Sequence, residues 1–132
     1  MRIGELADRA GVSTRALRYY EEQGLLCSSR TAGGQRAYPR SAEDRVRLIR
    51  ELYTAGLTSR LIAELLPAID ARHISPELLA RLLDERARTR AKVAELQAAG
   101  LRLDALIALA ANPDADSCPA TLDQAAARSP AP

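Results

Sequence analysis

The pattern that most constrains this chain lies between residues 76 and 111. Leu79, Leu82, Val93, Leu96, Gly100, Leu103, Ile107 and Ala110 fall on one seam in alternating steps of three and four, with Arg86 and Thr89 as a polar interruption. That period is the stripe of a coiled coil. A helix of about 36 residues spans roughly 54 Å, too long to bury one stripe on a domain this small. It calls for a partner helix, most simply that of a second copy. Leu79, Leu82, Val93, Leu96, Leu103 and Ile107 are the expected dimerisation residues. Pro76 suits the first helical position. Gly100 costs about 1 kcal/mol relative to alanine in a helix interior, which close helix approach or a kink would explain.

Upstream, the apolar residues of Ile3–Ala10 fall at helical spacing, and Gly11-Val12 interrupts them. Ser13 is a good N-cap for a second helix through Glu22, with Gly24 at its C-terminal cap. Two short helices joined by a tight glycine-containing turn form a helix-turn-helix. The second helix carries Arg15, Arg18 and the pair Tyr19-Tyr20. A buried helix has little use for so many polar tips, whereas a helix lying against a polyanion uses planar guanidinium charge directly. Residues 25–38 read as two short strands around Thr31-Ala32-Gly33-Gly34-Gln35, a hairpin with Arg30 and Arg36 flanking its tip. The spacing predicts a third helix opened by a Ser41-x-x-Asp44 capping pattern, with Val46, Leu48, Ile49, Leu52 and Tyr53 inward. A fourth, capped by Thr58 or Ser59, is expected to stop at Pro67. The expected organisation is a DNA-binding domain over 1–67, a linker over 68–75, the dimerisation helix over 76–111 and a tail over 112–132. A short helix from Ser117-Cys118-Pro119 to Ala127 is expected in that tail, followed by a disordered end.

Composition agrees without deciding. The 132 residues hold 19 basic and 17 acidic side chains, and the first 66 residues hold 11 arginines against 8 acids. Phe and Trp are absent, so Leu, Ile, Val and Ala build the core; of four tyrosines, Tyr19, Tyr20 and Tyr38 fall in the segment assigned to DNA. No signal peptide is legible, and no apolar run approaches the roughly 20 residues of a membrane span. Cys27 and Cys118 form no zinc-type spacing, and a reducing bacterial cytoplasm, with association to the nucleoid when DNA is bound, is the expected setting. Cys27 is expected as a small apolar filler. Two cysteines rule out a four-thiolate iron–sulfur site within one chain. No nucleophile–base pair, phosphate loop or paired carboxylates suggest an enzyme.

The order of these parts resembles the mercury-resistance-regulator (MerR) family of transcription regulators over about residues 1–111. The resemblance is carried by Leu17-Arg18-Tyr19-Tyr20-Glu21, by Gly24-Leu25-Leu26 and by Arg36-x-Tyr38. Gln35 stands where the family usually has an aromatic residue or Asn. The resemblance implies a mainly α fold: a winged helix-turn-helix, then a long helix paired as an antiparallel coiled coil with the partner chain. It further implies a homodimer on a pseudo-palindromic promoter, which distorts the spacer DNA for RNA polymerase in response to an effector. Ser13, Thr14, Arg15, Arg18, Tyr19, Tyr20, Arg30, Arg36, Tyr38 and Arg60 are the expected DNA contacts, Ser13 also being explained by capping alone. Of the tyrosine pair, one is expected on the phosphate backbone and the other toward the wing. A second reading is an architectural or developmental DNA binder without an effector.

Metal-sensing members carry two cysteines just after the long helix; here Asn112-Pro113 replaces the first, and Cys118-Pro119 matches the second. One thiolate cannot close a two-coordinate soft-metal site. A metal or thiol-reactive effector at Cys118, with His73 or the other copy's cysteine, and no role for Cys118 are both open readings. The stretch after residue 111 is too short for an appended ligand-binding domain, so a small ligand is expected around residues 66–80 and 107–120.

Overall fold

The computed structural model describes residues 1–112. The short helix expected over 117–127, and Cys118 with it, lie outside the described residues. Five helices and one hairpin follow in order: α1 (Ile3–Ala10), α2 (Thr14–Glu22), β1 (Ser29–Arg30), β2 (Arg36–Ala37), α3 (Ser41–Thr54), α4 (Ser59–Asp70) and α5 (Pro76–Ala111). The chain separates into two compact units, Met1–Ala80 and the part from Arg81 onward, the division falling within α5.

Local chemistry explains most boundaries in the first unit. Gly11 closes α1 in the left-handed region at φ 66°, a conformation that costs little only without a Cβ. The Ser13 hydroxyl then accepts from the Ala16 amide at 3.0 Å, and Leu6, Ala7, Ala10, Leu17 and Tyr20 turn inward. The strands pair antiparallel, Ser29 with Ala37 and Arg30 with Arg36. Met1 and Tyr38 exchange backbone hydrogen bonds of 2.7 Å in both directions, tying the start of α1 to the wing stem. The core gathers Leu6, Leu17, Val46, Ile49, Ile62 and Leu66 from α1–α4, with Leu25, Leu26 and Tyr38 from the segments flanking the hairpin.

Two expected boundaries shift. Ser41 does not cap α3: the helix begins at Ser41, preceded by Arg40 in helical conformation, and no side chain caps it. Backbone bonds from Ala42 to the Pro39 carbonyl and from Glu43 to the Arg40 carbonyl start the turn instead. Pro67 does not stop α4, which continues to Asp70. A proline inside a helix forfeits one ladder bond and crowds the preceding turn. Here the turn is held beyond it by Ala71 donating to the Pro67 carbonyl at 3.0 Å, and by a two-pronged Arg45–Asp70 pair at 2.7 and 2.8 Å. Thr58, not Ser59, caps α4, accepting from Leu61 N at 3.2 Å.

α5 opens at Pro76 with the Ser75 hydroxyl accepting from the Leu78 amide. Leu78 is buried, whereas Leu79, Val93, Leu96, Leu103 and Ile107 are exposed, Leu96 to 73%. Leu82 is half-buried. Leu83, Leu101 and Leu106 are also exposed, so the apolar stripe is wider than the seam alone.

Candidate nucleic-acid interface

α2 has two opposite characters. Leu17 and Tyr20 point into the core, and burial of that face fixes the other outward. Arg15, Arg18 and Tyr19 are exposed, at spacings of three and four that place them on neighbouring turns. Neither Arg15 nor Arg18 makes a hydrogen bond or ion pair with another described residue, nor does exposed Arg60 on the first turn of α4. The contrast with other arginines is sharp. Arg45 is paired with Asp70, Arg47 with Glu43, and Arg50 donates to the Ala10 carbonyl. A guanidinium ordered by an internal acceptor serves the fold; one left facing water is available to an external anion.

Tyr19 is half exposed and anchored at its tip. Its hydroxyl lies 3.1 Å from Ser59 Oγ, which lies 2.5 Å from the Tyr53 hydroxyl. Tyr20 stacks on Tyr53 with centroids 5.7 Å apart. Burial pushes the Tyr20 and Tyr53 phenols above their ordinary value, so both stay protonated. One serine hydroxyl thereby joins α2 to α3 and to the start of α4, beside Arg60.

Two of the expected contact residues are buried in the chain. Tyr20 is 8% exposed and packs on Tyr53 of α3. Tyr38 is 2% exposed, and its hydroxyl donates to Glu21. Both rings are core residues, because a core without Phe or Trp takes its bulk from tyrosine. Tyr38 ionisation is pushed up to about 12, by burial and then by the Glu21 carboxylate.

Sequence reading gave Glu21 no role of its own beyond its place in the Leu17–Glu21 motif. The carboxylate also takes Arg36 Nε at 2.9 Å, with its own side chain only 15% exposed. Burial opposes its ionisation, but Tyr38, Ser28 and Arg36 together outweigh this and hold it below the ordinary carboxylate value. Nothing local separates Glu21 from Glu22, the next acid, which is exposed. Arg30 behaves differently, its Nη1 donating to the Gly34 carbonyl at 2.7 Å across the wing tip, so its charge stays uncompensated. Ser13 is exposed and occupied as a cap acceptor, leaving its proton to donate; Thr14 is half-buried.

Of the two sensing candidates, Cys118 lies outside the described residues. His73 is exposed after α4, and no cluster of metal-ligating side chains occurs among the described residues. Cys27, expected as filler, is exposed. It lines a recess of about 390 Å³ with Leu25, Leu66 and Pro67, within the first unit. No described helix is long and apolar enough to cross a membrane.

Known proteins share this arrangement. Residues 1–69 match the model of the MerR HTH family regulatory proteins. Nodulation protein NolA of Bradyrhizobium sp. (strain NC92) is 43% identical over 83 residues, covering 62% of this chain but 34% of that protein. The chain thus spans about a third of that relative's length. The HTH-type transcriptional regulator ZntR of Escherichia coli (strain K12) is 38% identical over 99 residues, 73% of this chain and 70% of that one. Among solved structures, the transcription regulator PbrR691 from Ralstonia metallidurans CH34, in complex with lead(II), superposes with a TM-score of 0.63. It is 31% identical and is covered over 89% of this chain and 91% of that one. With a winged helix-turn-helix followed by a long helix, and with relatives that are regulators rather than enzymes, the chain belongs to the MerR family of DNA-binding transcription regulators.

Proposed function

We propose that this chain binds a pseudo-palindromic promoter as a homodimer and activates transcription by RNA polymerase through distortion of the spacer DNA, in response to an effector. The carrying observation is the outward face of α2, where Arg15 and Arg18 have no internal acceptor among the described residues while Tyr19 is braced through Ser59. Such a face meets phosphates and base edges in a major groove. Arg60 and Arg30 extend it on either side, and Ser13 and Thr14 lie at the helix start that enters a groove first. The exposed leucines of α5 support pairing with a second copy, since an apolar stripe of this kind is otherwise left in water. Two copies would present two α2 helices to half-sites on one side of a duplex.

A duplex selected by the full chain from a random-sequence pool tests the reading. Two protected half-sites, with altered reactivity in the unprotected spacer, are expected in a footprint. A single protected half-site, or selection of no common sequence, would contradict it. Addition of metal ions, oxidants or aldehydes to in-vitro transcription from that site separates effector response from effector-independent architecture. Cys118→Ser and His73→Ala are expected to leave DNA binding intact and to alter only the effector response.

A further inference from the structure

Glu21 receives two donors from the stem of the wing: Arg36 of β2 at 2.9 Å and the Tyr38 hydroxyl beyond it. It stands on the last turn of α2, three residues after Arg18. The carboxylate therefore bolts the wing to the helix that carries the exposed arginines. It also neutralises Arg36, since a guanidinium in contact with a carboxylate presents a dipole, not a charge, to anything beyond. Were Arg36 to leave for a phosphate, a carboxylate 15% exposed would stay behind without its counter-charge, beside a polyanion. That loss opposes any phosphate contact made at the expense of the Glu21 pair.

We propose that Glu21 is a positioning residue that sets the wing against α2, and that Arg36 serves this clamp and makes no contact with the DNA backbone. The inference rests on the DNA-binding reading of α2. It changes what the wing's two arginines do: Arg30 keeps an uncompensated charge at the tip, while Arg36 aligns the stem.

The salt dependence of DNA affinity distinguishes the two roles, because each phosphate neutralised contributes about 0.9 to the slope of log affinity against log salt. The full chain, its variants and the selected duplex are compared. Arg18→Ala is expected to flatten the slope by about 0.9 per chain bound. Arg36→Ala is expected to lower affinity at every salt concentration with the slope unchanged, and Arg36→Gln to do the same. Glu21→Gln keeps an acceptor for Tyr38 but frees Arg36, and is expected to steepen the slope by up to about 0.9 per chain. Flattening by Arg36→Ala and Arg36→Gln as large as that by Arg18→Ala would overturn the clamp while leaving the DNA face intact. A slope unmoved by Arg18→Ala would instead overturn the reading of the α2 face.

Discussion

Adjacent residues on α2 divide the work between fold and partner. Leu17 is fully buried, and Arg18 beside it is exposed with no hydrogen-bond or ion-pair partner among the described residues. Leu17→Ala is expected to lower stability by about 2–5 kcal/mol, read as a shifted urea midpoint. Arg18→Ala is expected to change stability by less than about 0.5 kcal/mol while weakening DNA binding by about 1–3 kcal/mol. Glu21 supplies a pH signature. Its ionisation lies below the ordinary carboxylate value, so the unfolded chain binds its proton first on acidification. Its stabilisation is therefore present above the ordinary value, about 4.3 for a glutamate, and is lost as pH falls through the lower folded value. Urea unfolding at stepped pH should show a loss of stability in that acid window that is smaller in Glu21→Gln. Equal acid dependence in both proteins would remove the clamp's electrostatic part. Neither Glu21 nor the burial of Tyr38 was legible from spacing, because both depend on a hairpin folding back across the end of a helix.

At the level of elements, caps and covalent geometry were readable, and competing hydroxyls were not. Ser13 and Thr58 cap as their positions indicate, since an N-cap needs only an oxygen three residues before a free amide. Ser59, one residue on, joins Tyr19 of α2 to Tyr53 of α3 across 40 and 6 positions of sequence. No local rule announces that bridge. Ser59→Ala is expected to cost about 1 kcal/mol in thermal or urea unfolding. It should also loosen Tyr19, visible as a change in tyrosine near-UV dichroism. Stability and dichroism both unchanged would mean that Tyr19 is ordered by packing alone. Pro67 illustrates the opposite failure: a strong local breaker was overridden by the Arg45–Asp70 pair and by buried Leu65 and Leu66 just before it.

For the whole molecule, the pairing proposed for the seam of α5 makes DNA affinity depend on association. Val93, Leu96, Leu103 and Ile107 stand exposed on a single chain, and fully burying one such side chain is worth about 1.5–3 kcal/mol. The double variant Leu96→Glu, Leu103→Glu is expected to shift the chain toward monomer in sedimentation equilibrium. It should also lower affinity for a two-half-site duplex far more than for a single half-site, since linking two sites multiplies affinity without new contacts. A variant that stays dimeric with full affinity would place the pairing surface elsewhere.

By itself the sequence determined the kinds of elements and their order, because periodicity, caps and glycine positions act over a few residues and need no distant partner. It also determined the outward arginines of α2, since the apolar positions that must be buried leave only one face for them. Only the tertiary structure decided which polar side chains belong to the fold: Tyr20 and Tyr38 in the core, Arg36 on Glu21, Ser59 between two tyrosines. The reason is physical. A buried polar group must find its partner wherever the chain brings one near, and those partners come from elements far apart in sequence. The same rule returns to the long seam between residues 76 and 111: its period was plain, but the exposure of its leucines on a single chain is a fact of three dimensions.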